Sequence, residues 1–112
     1  AILDVRSAGE YSGEEIARGT AKGGRIRNSK NLEWNRVLDE NGYFLPEERL
    51  VKLFGDVSVV PGRPVLAYCR SGKRAAHTIF VLREILGHKE ATLYDPGWIE
   101  WSANDSLPSE TD

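Results

Sequence analysis

The stretch Val65-Leu66-Ala67-Tyr68-Cys69-Arg70-Ser71-Gly72-Lys73-Arg74 decides how this chain is read. Val65 to Tyr68 is a short apolar run of the kind that forms a buried strand, and from Ala75 to Leu86 the apolar residues Ala75, Ile79, Leu82 and Leu86 share one helical stripe. Cys69 to Arg74 therefore form a loop that carries a strand into the N-terminus of a helix. Unpaired N–H groups and the positive end of the helix dipole stabilise an anion at such a place, and Arg70, Lys73 and Arg74 add positive charge. Both effects favour the thiolate of Cys69, the only cysteine in the chain. No Asp or Glu lies between Val65 and Arg83 to oppose them. Ser71-Gly72 permits the tight backbone that turns successive N–H groups inward as a nest for an anion. The competing reading is an inert core cysteine at a strand end. That reading calls for apolar neighbours, whereas Arg, Ser, Gly, Lys and Arg follow Cys69.

Outward from the loop, strand candidates at Ala1–Val5, Asn31–Leu32, Val65–Cys69 and Ala91–Tyr94 alternate with helical patterns. The fold class is α/β, with a central, mostly parallel sheet and helices on both faces. Pro46 to Phe54 is expected to be a short helix, with Pro46 in its first turn and Gly55 just past its end. Asp39-Glu40-Asn41-Gly42 and Pro61-Gly62-Arg63-Pro64 read as turns, the second feeding the strand that carries Cys69. Ser102 to Asp112 is polar and acidic enough to fray.

With 112 residues and 40% hydrophobic content, the chain has material for one core, so residues 1–112 form a single domain. A net charge of -2, with basic residues not interleaved with stacking aromatics, argues against a nucleic-acid binder. No apolar run is long enough to span a bilayer. A single cysteine rules out an internal disulfide and gives no reason to invoke an oxidising compartment, so a cytoplasmic location is the expectation. Ala1 runs directly into a strand-like segment and the chain holds no methionine, as expected of a segment that lacks N-terminal elements or a preceding domain.

Three motifs in order resemble the rhodanese-like sulfurtransferases, and the likeness covers nearly the whole chain. Ile2-Leu3-Asp4-Val5-Arg6-Ser7 with Gly9-Glu10-Tyr11 is similar to the family's opening strand and turn. Cys69 to Arg74 matches the Cys-Arg-x-Gly-x-Arg loop of thiosulfate-type members, and Asp95-Pro96-Gly97-Trp98 followed by Trp101 resembles an Asp-Gly-Gly-Trp ending. The longer segment Glu14 to Ile26 looks like that of catalytic C-terminal domains in tandem members, which implies a second rhodanese-like domain as partner. The resemblance implies that Cys69 takes the outer sulfur of thiosulfate, or of another small sulfur donor, as a persulfide. Cyanide or a thiol, on a small molecule or an acceptor protein, would then remove it. It further implies that Arg70, Ser71, Gly72, Lys73 and Arg74 hold the anion, with Arg70 and Arg74 on the sulfonate oxygens. No metal or organic cofactor is called for.

Asp4 and Arg6 admit two readings: a structural ion pair at the strand end, or an Arg6 that reaches the bound anion with Asp4 in support. Arg18, Lys22, Arg25, Arg27 and Lys30 form an acid-free basic stretch, either a solvated loop or a rim that attracts an anionic substrate. Trp34, Trp98 and Trp101 are expected in packing rather than as a stacking platform, and His77 and His88 as ordinary polar residues. One rival function is a cysteine phosphatase or arsenate reductase. It is disfavoured because Arg74 closes a Cys-x4-Arg loop, tighter than the Cys-x5-Arg of such enzymes, and because no acid lies in or just after the loop. The other rival is a non-catalytic rhodanese module for protein binding, in which retention of Cys69 with three cations would be unexplained. Departures from the family pattern occur at Arg25 to Ser29, where relatives often have His-Ile-Pro-Gly-Ala, at Pro96, and at Glu10. At the last position, mercaptopyruvate-using relatives tend to carry an arginine.

Overall fold

A computed structural model describes all 112 residues. Strands β1 (Ile2–Asp4), β3 (Lys30–Asn31), β4 (Val65–Tyr68) and β5 (Ala91–Leu93) form one sheet in the order β3-β1-β4-β5, every pair parallel. β1 and β4 sit in the middle and alternate sides as the pleat requires. Leu3, Val5, Val65, Ala67 and Cys69 enter the main core, while Tyr68 packs on the other face with Ile26 and Trp98. The main core is closed by two helices, α2 (Glu47–Gly55) and α3 (Lys73–Phe80), through Leu50, Phe54, Ala75 and Ile79. The second face is covered by α4 (Gly97–Ser102), which supplies Trp98. A one-turn helix α1 (Ala8–Ser12) follows β1. No helix is long and apolar enough to cross a membrane.

Local chemistry accounts for the element ends. Ser7 caps α1 through a capping box in which its hydroxyl accepts from Glu10 N–H and the Glu10 carboxylate accepts from the Ser7 N–H. Pro46 occupies the N-cap of α2, and Glu47 and Glu48 meet its positive end. The expected turn at Asp39–Gly42 is present, with Gly42 at φ +84° and its N–H donated to the Asp39 carbonyl.

Three sequence expectations need correction. The helix after Cys69 starts at Lys73 and widens at Val81–Ile85 into a π-helical turn, with Leu86 N–H on the Val81 carbonyl at 3.1 Å. Val81 and Leu82, placed by the regular turns before it, are both fully buried, and the extra residue leaves Leu86 at the edge of the stripe. The C-terminal tail does not fray: β6 (Ser109–Glu110) pairs antiparallel with β2 (Arg25–Ile26), and Asp112 N–H reaches the Ser12 carbonyl. Consequently the basic stretch is not free of acids in space. Arg25 lies 2.6 Å from Asp112 and 3.5 Å from Glu110 and covers the Tyr11 ring, and Lys22 approaches Asp105 at 3.8 Å. The tail lies about eighty residues away along the chain, so the local charge pattern could not show it.

Candidate active site

Cys69 stands at the C-terminal end of β4, only 1% exposed, as either reading of the residue allows. What bears on the choice is the pair of hydrogen bonds to its sulfur. Sγ accepts the N–H of Gly72 at 3.1 Å and of Ala75 at 3.4 Å, so two backbone donors from the loop and the first turn of α3 converge on the sulfur. An apolar pocket would leave a thiol without such donors; a nest of N–H groups at a helix start stabilises negative charge on it.

This loop is held from the outside. Trp98 N–H donates to the Cys69 carbonyl at 2.8 Å and Ile99 N–H to the Arg70 carbonyl at 3.2 Å, which satisfies the two outward-facing acceptors. Approach that close leaves no room for a side chain at Gly97, where a Cβ would lie 2.5 Å from both carbonyl oxygens. The donors in this contact are Trp98 and Ile99, so Pro96 in place of a glycine removes none of them. Gly72 is constrained twice: φ is +99°, and a Cβ would meet Asp95 Oδ1 at 2.4 Å. Asp95 thereby brings a carboxylate to the loop from the end of β5. The absence of acids within the loop's own sequence therefore does not speak against phosphatase chemistry, and the loop length alone carries that argument.

The cations divide into two kinds. Arg74 forks onto Glu10, Nη1 to Oε1 at 2.8 Å and Nη2 to Oε2 at 3.0 Å, and so braces α3 against α1 instead of standing free for sulfonate oxygens. Arg6 adopts the structural of its two readings. Its guanidinium is 1% exposed, lies 2.6 Å from Asp4 Oδ2, donates to the Gly24 carbonyl at 2.6 Å and covers the Trp98 ring at 5.0 Å. Burial disfavours the Arg6 charge, but the hydrogen bond and charge of Asp4 more than offset it, so its pKa is raised. Of the two readings, the structure shows the ion pair with Asp4, which makes Arg6 a buried strut. Lys73 is exposed and forms no ion pair, Ser71 is exposed, and Arg70 donates Nη1–H to the Arg18 carbonyl at 3.1 Å with no acidic partner.

Glu10 was missed as a brace because its partner lies 64 residues away; only the Ser7-x-x-Glu10 cap was readable. Burial pushes the Glu10 carboxyl up, but the Arg74 hydrogen bonds and charge, with the Ser7 donors, hold it below the ordinary 4.5. A carboxylate with a depressed folded pKa stabilises above its unfolded value, and this contribution fades as pH falls through the folded one. Glu10→Gln is expected to cost about 1.5–3 kcal/mol at pH 7 and clearly less at pH 3, read from urea midpoints. Equal cost at both pH values would remove the charged brace.

Beside the loop opens a cavity of about 290 Å³ lined by Trp34, Lys73, Arg74 and His77. His77 packs edge-on to Trp34 with centroids 5.2 Å apart and also meets Phe44; burial lowers its pKa, and its Nδ1 has no hydrogen-bond partner. A second hollow, about 350 Å³ between Arg36, Leu38, Leu45, Arg49 and Leu53, has no loop residue in its wall. Trp98 is core, with Nε1–H on the Lys22 carbonyl, and Trp101 donates to the Pro108 carbonyl, both in packing as expected. Trp34 alone of the three faces the cavity.

A parallel α/β sheet that presents one cysteine, with two backbone N–H groups on its sulfur, between a central strand and a helix start defines a class of small thiol-centred domains. Comparison with known proteins narrows it: residues 1–104 match the rhodanese-like domain, and the chain belongs to that family. A Mycobacterium tuberculosis protein provisionally named a thiosulfate sulfurtransferase is 37% identical over 97% of this chain. The thiosulfate sulfurtransferase of Corynebacterium glutamicum is 36% identical over 98% of it. A crystal structure described as a probable thiosulfate sulfurtransferase superposes with a TM-score of 0.74 at 34% identity, covering 97% of this chain. The chain spans 42% and 38% of the two curated relatives' lengths, and 42% of the crystallised one.

Proposed function

We propose that this domain moves the sulfane sulfur of thiosulfate through a persulfide on Cys69 to cyanide or a thiol. The observation that carries the reading is the pair of backbone N–H groups on Sγ, from Gly72 and Ala75, in a loop whose free cations are Arg70 and Lys73. The Cys69 thiolate attacks the outer sulfur, the S–S bond of thiosulfate breaks, and sulfite leaves with the electron pair. The charge then rests on the terminal sulfur, where prearranged loop donors are worth a few kcal/mol without reorganising. Cyanide attacks that sulfur, the Cys69–sulfur bond breaks, and thiocyanate departs from a restored thiolate. The cavity bounded by Trp34, Lys73 and His77 is the route by which an acceptor would approach. A second domain in the full-length protein fits the greater length of the relatives, and would be expected to complete the pocket.

The test is a comparison of substrates on the full-length protein. Thiosulfate should leave a mass increase of one sulfur atom, removed by cyanide with release of thiocyanate. Its kcat/KM should exceed that of 3-mercaptopyruvate, whose carboxylate lacks an arginine at position 10, and aryl phosphates should turn over negligibly. Faster release of phosphate than of sulfite would replace the assignment with a phosphatase, and no adduct with any donor would leave a binding module.

A further inference from the structure

The segment Ala17 to Lys22 runs past the catalytic loop and is tied into a closed circuit with it. α4 holds the loop through Trp98 and Ile99 N–H on the Cys69 and Arg70 carbonyls. The same helix holds the segment through side chains: Trp98 Nε1–H donates to the Lys22 carbonyl at 2.8 Å, and Ser102 Oγ, in a residue 1% exposed, accepts Ala21 N–H at 3.1 Å. Arg70 closes the circuit from the loop side by donating Nη1–H to the Arg18 carbonyl at 3.1 Å. The segment is itself folded, since both the N–H and the hydroxyl of Thr20 donate to the Ala17 carbonyl, and at Gly19, whose φ is +86°, a Cβ would lie in van der Waals contact with Arg70 Nη1, 3.8 Å away.

The partner that orients Arg70 is a neutral carbonyl, whereas the partner of Arg74 is a carboxylate. A carboxylate both positions a guanidinium and cancels its charge. A carbonyl positions it and leaves the charge available. An unrestrained arginine must give up much of its rotamer freedom when it binds an anion, and a pre-set one has already done so. From this geometry we infer that Ala17–Lys22 is a strap that aims Arg70 at the donor anion, and that Ser102, which touches no reacting atom, is a positioning residue for thiosulfate. The inference rests on the sulfurtransferase reading of the loop.

Single-turnover loading of the full-length protein, followed by intact mass across a thiosulfate series, tests it. Ser102→Ala and, independently, Gly19→Ala should each raise the thiosulfate concentration for half-maximal loading about three- to tenfold, with the limiting rate held within about twofold. In an Arg70→Ala background the same substitutions should add nothing, because the residue they act through is gone. A merely structural effect would persist in that background. Unchanged loading in both variants, or an equal loss with and without Arg70, overturns the strap. Failure of the wild-type protein to take sulfur at all overturns the sulfurtransferase reading and the strap with it.

Discussion

Cys69→Ser should abolish thiosulfate-dependent thiocyanate formation, a fall of at least about a thousandfold, while the domain stays folded. The loss should be complete because no other thiol exists in the chain, and a hydroxyl at neutral pH is neither ionised nor soft enough to attack a sulfane sulfur. The fold should survive because the N–H groups of Gly72 and Ala75 that face Sγ find an acceptor in a serine Oγ. The carbonyl of residue 69 would still receive Trp98 N–H. Thiocyanate production and intact mass after thiosulfate report the chemistry, and a urea midpoint reports the fold. Retained transfer, or a one-sulfur adduct on the serine variant, would move the sulfur carrier elsewhere.

The largest effect on stability is expected at the same end of the sheet, one strand over from Cys69, where Asp4 pairs in register with Tyr68. Asp4 is fully buried and accepts from the Arg6 N–H and Nε at 3.0 Å, from Arg6 Nη2 at 2.6 Å and from the Tyr68 hydroxyl at 2.7 Å. Asp4→Ala would leave a buried guanidinium with no counter-charge, held only by the Gly24 carbonyl, and would strip the Tyr68 hydroxyl of its carboxylate acceptor. Stranding one partner of a buried pair costs about 3–5 kcal/mol, a large share of the roughly 5–15 kcal/mol that a domain of this size possesses. The loss should reach the site, because β1 lies beside the strand that carries Cys69 and Val5 N–H bonds the Tyr68 carbonyl at 3.0 Å. Asp4→Ala with Arg6→Leu should recover part of it, since removing both charges leaves no uncompensated ion. Urea denaturation of the three proteins decides the matter. A single variant within about 1 kcal/mol of the parent would mean that the pair is dispensable.

Why one arginine became a strut, another a brace and a third a free cation is a question of distance in space. Arg6, Arg70 and Arg74 are chemically alike, and each stands next to a motif that invites an anion. Arg6 meets Asp4 two residues away, which is why the ion-pair reading was open from the start. Arg74 meets Glu10 and Arg70 meets the Arg18 carbonyl, 64 and 52 residues away, where no local pattern leads.

The four strands of the parallel sheet, the turn at Asp39–Gly42 and the cysteine between a strand and a helix start were legible in the sequence. Apolar runs, helical spacing, and Gly and Asn in turns act over a few residues, and burial on both faces of a parallel sheet leaves little choice of strand. The donors on the sulfur were legible for the same reason, since the N–H groups that face Sγ come from residues three and six positions on. Only the tertiary structure decided the pairing of the tail with Arg25–Ile26, the π-helical turn between Val81 and Leu86, and the clamp of α4 on the loop. It alone also decided which cations stand free of a carboxylate partner. These depend on contacts between segments far apart in the chain, whose partners are chosen by the packing of the whole sheet, so a side chain's type tells what it can bind but not what lies within its reach.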